Sequence, residues 1–294
     1  MEPLSPTART NVQQRGVCVP APPEELMKSA AVQRGLLFVV LLTVAVVVPA
    51  RAEEWTKTYT LNGRPALHVE TSDANIRVTT WDQNAIEAKV ITNGYKIGEG
   101  GIAVEERQAG NAVELEVHYP HHEFNIQWHS HRVDIIIQMP RQGDVNLRTG
   151  DGKIEVAGLK GAMDVHSGDG SENLDSVDGK LRATTGDGSI RANGRFDELE
   201  VKTGDGHVDV RAASASTLGA NWRLETGDGS VSLELPPDLS ADVDLHTSDG
   251  RIDLDMPVTT EGKYRQNEVH GKLNGGGNLL TIRTGDGSIH LRRS

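Results

Sequence analysis

From residue 143 onward the chain alternates apolar and polar positions with a period of two, in short segments cut by glycine. Ala241-Asp242-Val243-Asp244-Leu245-His246 and Arg251-Ile252-Asp253-Leu254-Asp255-Met256 show the pattern most cleanly. Ile154 and Val156, Met163 and Val165, Leu199 and Val201, Val208 and Val210, Trp222 and Leu224, and Ile289 and Leu291 repeat it. Such alternation buries one aliphatic face and leaves the other wet, which predicts half-buried β-strands. No amphipathic helical period of useful length follows Glu53, so the expected fold class is all-β.

The turns between these strands are themselves periodic. Four copies of [TS]-G-D-G recur every 18 residues and place Asp151, Asp169, Asp187 and Asp205 identically. Further copies close on Asp228, Asp249 and Asp286 after 23, 21 and 37 residues, the last interval reading as two periods with one degenerated turn. Thr71-Ser72-Asp73 is an upstream echo. A second turn falls near each midpoint, at Gly161, Gly179 and Gly194, so one unit is strand, glycine turn, strand, Gly-Asp-Gly turn. Units that cannot bury an apolar face alone stack on one another, which predicts a single-domain β-solenoid of about 18 residues per repeat. A sandwich of hairpins is the competing architecture, since Asp-Gly is also a favoured hairpin turn; the constant spacing favours the solenoid. Glycine on both sides of the aspartate fits a corner with positive φ, Gly188 included. Residues 53–142 repeat less clearly and predict an irregular β cap ahead of a 143–294 solenoid. Strand-like runs there are 66–78, 85–92, 112–119 and 132–139, with Ala109-Gly110-Asn111 as a hairpin turn.

The start of the chain changes the picture of where this domain works. Residues 36–48 form an apolar run broken only by Thr43, shorter than the ~20 residues a membrane span needs and preceded by Lys28 and Arg34. With Ala50-Arg51-Ala52 after it, residues 1–52 read as a signal peptide, the true start falling at Met27 and the mature chain at Glu53. No stable membrane span is expected after cleavage, and the protein is expected to be exported to the periplasm, cell surface or medium. Cys18, the only cysteine, leaves with the leader, so no disulfide is expected. The remaining chain carries 25 basic against 39 acidic residues, a net charge of about −14. That balance argues against nucleic acid and anionic lipid as partners, because both need a basic surface. A surface glycan, an envelope protein and divalent cations remain as candidate partners.

An exported β-rich N-terminal part, a strand ending in Met139-Pro140, and runs such as Val145-Asn146-Leu147-Arg148-Thr149-Gly150-Asp151-Gly152-Lys153-Ile154-Glu155-Val156 resemble the bacterial family of unknown function usually labelled "putative adhesin". The resemblance covers roughly Leu67 to Arg292. It implies a β-solenoid envelope or extracellular protein with an adhesive role, and it supplies no catalytic residues.

Chemistry is sparse. Stacked carboxylates at Asp151, Asp169, Asp187, Asp205, Asp228, Asp249 and Asp286 would lie ~4.8 Å apart and repel by about 1 kcal/mol per pair even in water. Two accounts offset this: each caps its own turn through backbone N–H groups, or calcium bridges successive turns as in the shorter nonapeptide repeats of toxin β-rolls. The matching row Thr149, Ser167, Thr185, Thr203, Thr226, Thr247 and Thr284 reads as turn chemistry rather than an ice-binding face. Five of the eleven histidines, His118, His121, His122, His129 and His131, crowd one window and form either a metal site or a solvated loop. Trp128 beside them is the candidate aromatic platform for a sugar, or else packs beneath the loop. No G-x-S-x-G elbow or P-loop is present, and no cysteine follows the leader. The expectation is a non-enzymatic adhesin or envelope scaffold; the alternative is a polysaccharide lyase or glycosidase using acidic residues along one solenoid face.

Overall fold

The computed structural model describes residues 52–120, 131–260 and 265–294. Residues 1–51 of the leader, His121, His122, His129, Trp128 and Tyr264 therefore lie outside the described residues. Those described are all-β: twenty-one strands hydrogen-bonded into one network, with no helix among them.

Each unit is a rung: a strand enters a corner, the chain turns at Thr-Gly-Asp-Gly, and a second strand leaves. Entering strands pair in parallel into one stack. Ala66–Thr71 lies beside Asp144–Thr149, then Lys160–Ser167, Glu172–Thr185, Ile190–Lys202, Trp222–Thr226, Leu279–Thr284 and Ala241–Thr247 follow. Leaving strands pair in parallel in the same rung order, from Asn75–Trp81 and Ile154–Ala157 to Ile289–Arg293 and Ile252–Leu254. Inward residues form columns of one type. Val69, Leu147, Val165, Ala183, Val201, Leu224, Ile282 and Leu245 are buried at equivalent positions, which is why the alternation was so regular.

Three expectations need correction. The midpoint turn parts two strands in only one of the three rungs, where Ile154–Ala157 ends and Lys160–Ser167 begins just before Gly161; Glu172–Thr185 and Ile190–Lys202 run continuously from one stack into the other, bending where the register shifts around Ser176 and Gly179. The 37-residue interval hides no degenerate rung. Strand Leu279–Thr284 inserts between Trp222–Thr226 and Ala241–Thr247, so the corners stack in the order 228, 286, 249. The intervening Thr259–Thr260 and Glu268–Leu273 instead pair antiparallel and cover the outer edge of Ala241–Thr247. Finally, the stack is longer than 143–294: the upstream echo Thr71-Ser72-Asp73 is itself one of its corners, since Gly150 and Asp151 both donate backbone hydrogen bonds to Ser72 O. The parallel stack thus begins well before residue 143, and the 66–78 run is two strands separated by that corner.

At this end Ala85–Asn93, Ala112–His118 and Arg132–Pro140 fall where the pattern indicated, the last two also pairing in parallel with Ala66–Thr71 and Asn75–Trp81, and Glu53–Thr60 and Ala103–Ala109 are added to them. Ala85–Asn93 lies between Glu53–Thr60 and Arg132–Pro140, and Ala103–Ala109 pairs with Ala112–His118 across a turn at Gly110, whose φ of 62° calls for glycine.

Candidate functional site

The corner motif is the feature most often repeated, and its four residues divide their work sharply. The hydroxyl comes first. Thr149, Ser167, Thr185, Thr203, Thr226, Thr247 and Thr284 point inward and are buried. Each donates to the carbonyl that closes the neighbouring corner, at 2.7 to 3.0 Å: Ala74 for Thr149, then Gly152, Gly170, Gly188, Gly206, Gly229 and, for Thr247, Gly287. Several also accept from their own corner, as when Gly206 N–H donates to Thr203 Oγ1 at 3.2 Å. The row is a buried hydrogen-bonded spine joining one rung to the next. Thr71 Oγ1, at the head of the row where no glycine corner precedes it, is left without a partner.

The glycines follow from the same packing. None of Gly186, Gly188, Gly204 or Gly206 has positive φ, so the expected left-handed corner is not what selects glycine. A Cβ on Gly204 would lie 2.6 Å from Gly186 O, and one on Gly188 would be driven into Gly170 O. Glycine is required because the backbone of each corner rests on the backbone before it. Backbone N–H groups of the first glycine and of the aspartate both donate to the carbonyl of the preceding rung, as Gly204 and Asp205 do to Gly186 O.

With hydroxyl and backbone so engaged, nothing is left for the aspartate to satisfy. Asp151, Asp169, Asp187, Asp205, Asp228, Asp249 and Asp286 are all exposed, and none of their carboxylates accepts a hydrogen bond or joins an ion pair among the described residues. The expected turn capping by these carboxylates is thus supplied instead by the hydroxyls. Asp73 extends the column to eight, each one rung from the next, ~4.8 Å along the stack.

One residue in the interior escaped the sequence reading. At the first inward position after each corner stand Ile76, Ile154, Ile190, Val208, Val231, Ile289 and Ile252, but the rung between Ile154 and Ile190 carries Glu172. It is 1% exposed, and neither carboxylate oxygen has a hydrogen-bond partner. Burial pushes its carboxyl up to about 9, opposed weakly by backbone groups of Ser167 and Thr184 that fall short of hydrogen-bond geometry. It is therefore a neutral acid at pH 7. Its rung is also the one with serine in the hydroxyl row. A rung-by-rung alignment of the sequence would have exposed it.

Of the histidine window, His118 sits beside Glu116, Nε2 to Oε2 at 3.1 Å, while the His131 ring lies 4.5 Å from that of Tyr95. Tyr95 in turn meets Tyr119 edge-on at 5.6 Å. Trp222 is fully buried against Phe196 and is core, not platform. Arg211 and Arg223 are held by Glu234 and Glu225.

Stacked parallel rungs joined by an inner hydroxyl row and fringed by an outer carboxylate row define a class of repeat protein. Residues 125–292 match the Toastrack DUF4097 model, and the chain belongs to that family. No curated protein matches it. Among solved structures it is similar to a putative cell adhesion protein from Clostridium sporogenes, with 14% identity, a TM-score of 0.42, and 83% of this chain and 100% of that one covered. A putative adhesin from Bacteroides fragilis gives 10% identity, a TM-score of 0.41 and coverage of 83% and 99%. A putative lipid binding protein from Parabacteroides distasonis gives 12%, 0.36, and 81% and 96%. No helix among the described residues is long and apolar enough to cross a membrane.

Proposed function

We propose that this is an exported, non-enzymatic adhesin-like or envelope-scaffold protein whose stacked corners present a rigid ligand-binding edge. One observation carries the reading: the aspartate recurs at eight successive corners although no hydrogen bond or ion pair among the described residues uses its carboxylate. A charged group repeated at ~4.8 Å spacing without an internal partner is offered to something outside the chain. Hard divalent cations such as calcium suit it, since adjacent carboxylates share an oxygen-only donor set and a bridging ion removes their mutual repulsion. A cation so held would in turn link the edge to an anionic or hydroxyl-rich surface glycan.

The test passes the purified protein over immobilised envelope and plant polysaccharides, with calcium and with chelator, and records both retained protein and newly formed sugar ends. Retention that depends on calcium, without new ends, is the expected result. New sugar ends would replace this reading with that of a carbohydrate-active enzyme. Neither retention nor new ends would remove the glycan and leave an envelope protein as the partner.

A further inference from the structure

Outward carboxylates along the stacks mostly meet a cation across the strand gap. Arg182 faces Glu200 at 2.6 Å, Lys180 faces Glu198 at 2.6 Å, and Arg283 faces Asp244 at 2.8 Å. On the hairpin Ala103–Ala109 with Ala112–His118, Arg107 faces Glu114 at 2.6 Å in the same way, but the next position on that face breaks the rule. Glu105 stands directly opposite Glu116 in register, and Glu70 continues the row on Ala66–Thr71. Like charges placed opposite each other destabilise a strand pair, yet neither Glu105 nor Glu116 is paired with a lysine or arginine among the described residues. The group that does approach is an imidazole. His118 is two residues from Glu116 and shares its face, and one donor atom from each of Glu105, Glu116 and His118 lies within 4.8 Å of the other two.

We propose that Glu105, Glu116 and His118 form a binding site for a divalent transition-metal ion on the outer face of this hairpin. Tetrahedral bonds of about 2.0–2.2 Å place donors about 3.3 Å apart, a contraction from the present spacing that rotamer changes of exposed side chains supply without moving backbone. One imidazole nitrogen with two carboxylate oxygens suits zinc and its neighbours, whereas calcium takes oxygen alone. The ion would neutralise the opposed glutamates and tie Ala103–Ala109, an edge strand exposed along nearly all its length, to the strand beside it. Three protein donors leave a coordination position open to water or to a ligand from a partner. The site owes nothing to the corner aspartates and stands apart from the adhesin reading.

Calorimetric titration of the untagged protein with zinc chloride, alongside thermal unfolding with and without zinc, tests it. The expected result is one equivalent bound at micromolar concentration with a higher Tm. His118→Ala and Glu105→Gln should each weaken binding at least ~10-fold, both being exposed positions whose variants are verified as folded by far-UV circular dichroism. The triple variant His121→Ala, His122→Ala, His129→Ala should keep the site, and millimolar calcium should not displace zinc. Absence of zinc binding, wild-type affinity in His118→Ala or Glu105→Gln, loss of binding in the triple variant, or displacement by calcium would each overturn the proposal.

Discussion

Thr203 and Asp205 are two residues apart in the same corner, and the rows they belong to do opposite things. The hydroxyl row is buried and bonded at 2.7 to 3.0 Å to the neighbouring rung, whereas the carboxylate row is exposed and bonded to nothing among the described residues. Both recur with the same period and would look equally indispensable in the sequence. The difference teaches that periodicity alone does not reveal purpose: one row recurs because every rung needs its hydrogen bond, the other although no hydrogen bond or ion pair among the described residues uses it.

The sharpest way to break this contrast is at the glycine that lets corners touch. Gly188→Val should cost about 4 kcal/mol or more, because any Cβ there runs into Gly170 O. Gly188→Ala should be nearly as harmful, which separates close backbone approach from a left-handed corner, where alanine would cost only about 1 kcal/mol. Denaturant unfolding of the two variants side by side decides it.

Glu172→Ile comes next and contrasts the buried carboxyl with the exposed ones. The folded-state pKa of about 9 lies above the ordinary 4.5, so the stability this group allows is full below pH 4.5 and is lost progressively as pH rises toward 9, then levels off. The isoleucine variant should gain roughly 2–3 kcal/mol over wild type at pH 7, and its advantage in Tm should widen from pH 5 to pH 9. An advantage that stays constant across that range would contradict a neutral buried acid.

Thr203→Val should cost about 1–3 kcal/mol, since the Gly188 carbonyl loses a buried donor while the side-chain volume is kept. Asp187→Asn should be smallest, within about 0.5 kcal/mol and of stabilising sign if anything, since it relieves repulsion from Asp169 and Asp205 and breaks no bond. Equal losses in these two variants, measured by thermal unfolding, would erase the distinction between the rows.

Much of the fold was legible because burial and hydrogen bonding repeat with the rung. The alternation at Val243, Leu245 and their equivalents marked the strands, and the 18-residue spacing marked the stack. Spatial order was not legible. Asp286 follows Asp249 in the chain but sits between Asp228 and Asp249, because the edge strands Thr259–Thr260 and Glu268–Leu273 send the chain outward before it returns. Sequence distance carries no record of such a return. The candidate site was half legible: the aspartates and threonines were found together, but which of them turned inward depended on the phase of alternation through the corner. Glu172 was written plainly in a column of isoleucine and valine and needed only the rungs aligned. The pairing of Glu105 with Glu116 and His118 needed the hairpin register, which a turn at Gly110 implies but the histidine count does not.

The central claim is that the corner carboxylates are free of structural duty. Thermal unfolding of the variant carrying Asp151→Asn, Asp169→Asn, Asp187→Asn and Asp205→Asn together addresses it most directly. A Tm equal to or above that of wild type in calcium-free buffer is the expected result. A Tm that falls stepwise as each asparagine is added would show that the carboxylates hold the corners after all.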